Sequence, residues 1–135
     1  MKKLILAAGA VLLLVTIMIP HIGFTEDADT VLLARSIYAL AKDESYETKL
    51  AIGTVVMNRV ENPWFGETLG EVLNEQHQFP AGRRYDAESL SAAHDVLSGA
   101  RVLDESALYY QANDASEPMT DKTPVKTIGA YTFLR

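Results

Sequence analysis

Residues 32–60 read LLARSIYALAKDESYETKLAIGTVVMNRV, and this stretch decides the fold class. In its first half Leu33, Ile37, Leu40 and Ala41 recur at helical spacing, and Val31, Leu32, Ala34 and Tyr38 widen the stripe. A helix with so broad an apolar face is largely buried. Asp29 or Thr30 is placed to cap it, and it is expected to run to about Lys42. Ser45 is placed to cap a second helix over about Tyr46–Val60, and Pro63 bars its continuation. The small residues Ala51, Gly53 and Thr54 in that helix predict close approach by another backbone.

Downstream, Trp64, Phe65 and Gly66 form an aromatic loop, and a short helix is expected over Thr68–Asn74. Glu75 to Arg84 reads as an irregular loop. Asp86 caps a third long helix to about Leu97, with Gly99 at the position after its C-cap. Beyond it the period changes. Ala107–Gln111 reads as a strand, and Val125–Ile128 and Tyr131–Leu134 flank Gly129-Ala130 as a hairpin. Helices precede strands, so the class is α+β: a helical N-terminal part followed by a small antiparallel sheet, not a βαβ succession.

Upstream, Lys2 and Lys3 precede an unbroken run of 16 apolar or small residues from Leu4 to Ile19, and the first acids are Glu26 and Asp27. Cleaved hydrophobic regions have about 7–15 residues and membrane spans about 20. Residues 1–25 are therefore expected to be a signal peptide or an N-terminal membrane anchor, with 26–135 as one domain. Positive charge stays inside, which puts that domain in the periplasm or on the extracytoplasmic face of the membrane. The 135-residue chain carries 12 basic and 18 acidic residues, a net charge of −6. That balance argues against nucleic acid as a partner. The absence of cysteine excludes a disulfide framework, a thiol nucleophile and Cys-ligated metals. With three histidines, one of them in the leader, no metal site and no cofactor are expected. No Ser-His-Asp set, phosphate loop or dinucleotide fingerprint is visible.

The candidate chemistry lies at element ends. Glu44 and Glu47 follow the first helix, near Tyr38 and Tyr46. A glycosidase needs a carboxyl in an apolar setting to protonate a leaving oxygen. Both acids would equally serve as solvated residues at the start of the second helix, where they favour its dipole. Asn58 and Arg59 close the second helix before the aromatic loop, where they can bind sugar hydroxyls or a carboxylate, or cap carbonyls and pair with nearby acids. Gln76, His77 and Gln78 precede Phe79, and amides beside an aromatic ring suit carbohydrate as well as an ordinary surface loop. Tyr109 and Tyr110 face opposite sides of their strand, one toward the core and one available to stack on a sugar.

In this order, LLARSIYALAKDESYETKLAIGTVVMNRV, EVLNEQHQF, SALYYQAN and TPVKTIGAYTFLR resemble the SleB-type cell-wall hydrolases, the group that includes spore cortex-lytic enzymes. The resemblance covers about Val31 to Arg135. It implies an α+β fold with a lysozyme-like groove, no metal, and cleavage of the peptidoglycan glycan backbone by a glutamate acid, in a hydrolytic or lytic-transglycosylase mode. A monomer is expected, with glycan strands as its partner. The family pattern is roughly Y-A-E-A-x-G-E, whereas this chain has Tyr38, Ala39, Leu40, Ala41, Lys42, Asp43 and Glu44. Leu40 stands where the acid is expected, and Glu44 matches the second glutamate. Gly129, Ala130 and Tyr131 stand where Gly-x-His is frequent, and Asp114 to Lys122 lacks an expected tryptophan. The implied function is an exported glycan-cleaving cell-wall hydrolase with Glu44 as the catalytic candidate and Tyr38, Asn58, Gln76, Gln78, Tyr109 and Tyr110 as substrate contacts. The alternative is a peptidoglycan-binding pseudoenzyme, because leucine cannot transfer a proton.

Overall fold

A computed structural model describes residues 27–74, 78–80 and 82–135. The expected leader and Gln76 lie outside the described residues. Four helices come first: α1 (Ala28–Ala41), α2 (Tyr46–Val60), α3 (Leu69–Asn74) and α4 (Ala87–Leu97). Three strands follow: β1 (Tyr109–Ala112), β2 (Pro124–Ile128) and β3 (Tyr131–Leu134). The α+β class and the helices-then-sheet order are as the sequence implies. Among the described residues no helix is long and apolar enough to cross a membrane.

The caps explain where the helices begin. Asp27, not Asp29 or Thr30, caps α1, because its Oδ1 accepts the N–H groups of Asp29 (2.7 Å) and Thr30 (3.3 Å). Asp29 and Thr30 are themselves already helical. Ser45 Oγ accepts the Thr48 N–H at 3.2 Å to start α2, and Asp86 Oδ1 accepts the Ser89 N–H at 2.7 Å to start α4. That Ser89 N–H holds the Asp86 carboxyl below its ordinary range. Gly99 ends α4 with φ +112°, a conformation that glycine adopts without a Cβ penalty.

The core lies between α1, α2 and α4, where Leu33, Ile37, Ile52, Val55, Val56, Ala93 and Val96 are fully buried. The close neighbour of Gly53 is a side chain of α4 rather than a backbone: a Cβ on Gly53 would lie 2.9 Å from Val96 Cγ2. The sheet has the order β1-β3-β2 and is antiparallel throughout, with Ala112 and Ile128 both opposite Tyr131. It buries Ile128 and Phe133 in the core shared with the helices, and Leu134 is buried as well. β1 starts later than the alternation predicted, since Ala107 closes a turn onto Asp104 O.

Two buried polar side chains brace α2 at its ends. At the N-terminal end Lys49, 1% exposed, donates to Glu44 O (2.8 Å) and Lys42 O (3.4 Å) and lies 3.4 Å from Glu88 Oε1. Its ammonium thus serves carbonyls left open at the end of α1. At the C-terminal end Asn58, 4% exposed, donates from Nδ2 to Asp104 O (2.8 Å) and Ala107 O (3.0 Å), fastening the turn that feeds β1. Asn58→Ala would leave Ala107 O without this donor and Asp104 O with the Ala107 N–H alone. It should cost roughly 1–3 kcal/mol in urea unfolding with an unchanged m-value. A loss below about 0.5 kcal/mol would show that water serves these carbonyls instead.

Candidate active site

Glu44 sits in the turn between α1 and α2, its N–H donating to Ala41 O at 3.0 Å. Its side chain reaches the far end of the chain, where Oε1 accepts the Ala130 N–H at 2.6 Å. Ala130 and Gly129 form the tip of the β2–β3 hairpin. Gly129 has φ +56°, and a Cβ there would lie 2.7 Å from both Glu44 Oε1 and Thr48 Oγ1. The tip therefore needs glycine both for its backbone conformation and for its seat on the helices. Asn113 ties the same tip to the end of β1. Its N–H donates to Ala130 O (2.9 Å) and its Nδ2 to Gly129 O (3.0 Å), and its Oδ1 accepts the Thr132 hydroxyl (2.7 Å).

An aromatic strip leads away from this junction. The Tyr131 hydroxyl donates to Leu40 O at 2.6 Å. Its ring meets Tyr110 edge-on with centroids 6.0 Å apart, and Tyr110 stacks on Phe79 at 5.4 Å. The Tyr110 hydroxyl donates to Gln78 O. Gln78 Oε1 in turn accepts from the Arg59 guanidinium at 3.0 Å. Arg59 is 1% exposed; its Nε donates to Leu108 O, and its Cζ lies 4.9, 5.0 and 5.5 Å from the ring centres of Phe65, Phe79 and Tyr109. Such cation–π contacts gain strength when water is excluded. Burial pushes the Tyr110 phenol up to about 12 against the opposing pull of Arg59. Burial also raises Tyr131, with the carboxylates of Glu44 and Asp114 acting in the same direction. Both phenols are therefore neutral donors at physiological pH.

The candidates fall into groups. Glu44 and Leu40 are partly buried and four residues apart, with Leu40 near the end of α1 packed on the core. Gln78 and Tyr110 belong to the strip, Gln78 being exposed. Tyr38 is partly buried on α1. Tyr109 engages partners different from those of Tyr110, lying between Arg59 and the Lys122 ammonium, the latter 4.3 Å from its ring centre. Asn58 is a correction. It was expected among the substrate contacts, but its amide is spent on backbone carbonyls at the opposite end of α2 from Glu44. Arg59, next to it, holds the Leu108 carbonyl and the Gln78 amide. Sequence reasoning missed Tyr131, whose signal was its place right after the hairpin turn. It also missed Lys49, whose helical phase sets it among the buried residues of α2.

The sequence pattern of the Cell Wall Hydrolase family matches residues 43–134. The chain belongs to this family. The match begins just past Leu40. Among curated relatives, the spore cortex-lytic enzyme of Bacillus subtilis is 30% identical over 118 residues, covering 82% of this chain and 38% of that protein. The spore cortex-lytic enzyme of Oceanobacillus iheyensis is 28% identical over 120 residues, covering 84% and 43%. The chain thus spans less than half the length of these relatives. Two solved structures share its fold. The catalytic domain of the Bacillus cereus SleB protein aligns with a TM-score of 0.72 at 24% identity, covering 79% of this chain and 89% of that one. The catalytic domain of the germination-specific lytic transglycosylase SleB from Bacillus anthracis gives 0.72 at 23%, covering 79% and 93%.

Two predictions follow from this geometry. Gly129→Ala should cost about 1–2 kcal/mol for its left-handed backbone alone, plus the displacement of Glu44 and Thr48. An unchanged urea midpoint would show that the tip is not seated as described. The second concerns alkaline pH. Tyr110 and Tyr46 are both held up to about 12 from an ordinary 10, Tyr46 by burial and then by its bond to Asp95. With folded values above unfolded ones, their contribution is complete below pH 10 and is lost as pH rises through 12. Tyr110→Phe should flatten the fall in stability over that window. An identical slope in the variant would contradict the assignment.

Proposed function

We propose that this domain acts on the glycan strands of peptidoglycan outside the cytoplasmic membrane, as a glycan-cleaving hydrolase of the muramidase or lytic-transglycosylase type. Membership of the Cell Wall Hydrolase family and the fold shared with SleB catalytic domains support it. The observation that carries it is the Glu44 carboxylate, seated where the α1–α2 turn meets the hairpin tip, at the head of an aromatic strip. In this mechanism Glu44 delivers a proton to the glycosidic oxygen as the C–O bond breaks. Water then attacks the sugar cation to leave a reducing end, or the sugar's own hydroxyl closes on it to leave an anhydro end, and in either case the attacking O–H returns a proton to Glu44. A bond from backbone, not from a mobile side chain, orients the carboxyl. Tyr38, Gln78, Tyr109, Tyr110 and, from the loop before Phe79, Gln76 are the proposed substrate contacts.

One observation favours a second reading, binding with little or no cleavage. Leu40 occupies the position expected for the acid and has no proton to give. Its side chain packs on the core and its carbonyl is covered by Tyr131. Glu44 stands four residues further on, in the turn after α1 rather than on the helix, and a misplacement of about 1 Å can cost a hundredfold.

Release of fragments from purified peptidoglycan, with mass spectrometry of the products, tests both. Weak turnover in the parent, abolished in Glu44→Gln, is the result expected if Glu44 is the acid. Leu40→Glu, provided it folds, should raise turnover by about 10²–10⁴-fold. Binding without release in all three proteins supports the second reading. Neither release nor retention on peptidoglycan would refute the assignment of substrate.

A further inference from the structure

The opposite end of α2 carries a feature that this mechanism does not use. A cleft of about 430 Å³ lies there, and its lining includes Asn58, Asn62, Pro63, Glu105, Ser106, Leu108 and Arg135. Glu44 precedes the first turn of α2 and the cleft follows its last, so at 1.5 Å per residue the 15-residue helix separates them by about 20 Å. The loop at the cleft's edge is pinned. The Asn62 N–H donates to Arg59 O (3.1 Å), Asn62 Oδ1 accepts the Trp64 N–H (2.9 Å), and the Phe65 N–H donates to Asn62 O (3.1 Å). Phe65 turns inward, its ring on Arg59 and edge-on to Tyr109. Trp64, between them, is 91% exposed.

An indole held out on a fixed loop forgoes the large gain its burial would bring, so a ligand that covers it recovers that gain. The cleft reaches Pro63, the residue before Trp64, and combines an amide, a hydroxyl and two apolar patches, Pro63 and Leu108. Its charges are nearly balanced: Glu105 and Arg135 have opposite signs, and Glu61, also at the cleft, is paired with Arg101 at 2.9 Å. A neutral ligand with an apolar ring face and a polar edge fits this lining better than an anion or a cation. A pyranose bearing hydroxyl and acetamido groups has that form. We propose that Trp64 and this cleft form a second saccharide site, binding N-acetylated amino-sugar units of the same glycan strand that occupies the Glu44 site. The sugar chemistry follows from the cleft, whereas the identity of the polymer rests on the peptidoglycan assignment above.

Trp64 is the only tryptophan in the chain, so its emission reports on this site alone. Titration of the parent with tetra-N-acetylchitotetraose should shift the emission to shorter wavelength and saturate. Glu44→Gln should respond alike, and a peptidoglycan stem tripeptide should have no effect. Trp64→Ala should keep the parent's urea midpoint, because the side chain packs on little, while retention on insoluble peptidoglycan weakens about tenfold. No emission change at millimolar oligosaccharide, a response to the peptide alone, or undiminished retention of Trp64→Ala would each overturn the second site. Retention of the parent without any emission change would sink this site and spare the peptidoglycan assignment. An emission shift with oligosaccharide but no retention of the parent on peptidoglycan would do the reverse.

Discussion

The bond from Ala130 N–H to Glu44 Oε1 joins two parts of the molecule that come from separate stretches of the sequence. The helices are assembled from nearly contiguous sequence, and the sheet comes entirely from the last third of the chain. Where they meet, a carboxylate takes a backbone N–H from a hairpin tip that comes close enough only because residue 129 has no Cβ. Asn113 and Tyr131 then fix the tip to β1 and to Leu40 O. Residues 40, 44, 113 and 131 consequently form one constellation, and any chemistry at Glu44 inherits its geometry from this seat.

That seat needs α2 to be rigid along its length, and two buried cations contribute. Lys49 gathers the carbonyls at the end of α1, so the turn bearing Glu44 is held from below. Arg59, among three rings, sets Leu108 O and the Gln78 amide in place. A buried charge is costly unless its donors are satisfied, and here carbonyls, an amide, a carboxylate and aromatic faces satisfy them. Removing either cation would take the donor from the acceptors it now serves. The same two residues thus support the junction at one end of α2 and the far end of the aromatic strip at the other.

Much of the fold was legible because its signals are local. Ser45 and Asp86 cap the helices predicted for them, and α2 stops before Pro63, because a side-chain oxygen or a missing N–H acts within one turn. That Asp27, rather than the expected Asp29 or Thr30, caps α1 was not legible, since all three are good caps and the outcome depends on which oxygen faces the open N–H groups. At the site Glu44 could be picked out as an acid at a helix end. Its partner could not, because Ala130 lies 86 residues away and the link runs through a main-chain N–H that every residue except proline possesses. Asn58 misled for the converse reason: a polar residue at a helix end looks the same in sequence whether it faces solvent or a buried turn.

The central claim is that a glycan strand lies across the junction of Glu44, the hairpin tip and Tyr131. Backbone amide NMR of the isotope-labelled protein, titrated with a soluble peptidoglycan tetrasaccharide, tests it most directly. The account predicts saturable shifts at residues 40–46, 110–113 and 129–131, with the Ala130 amide among the most strongly perturbed because its hydrogen bond to Glu44 responds to any ligand there. Saturable binding that leaves the Ala130 and Tyr131 amides unmoved would contradict it.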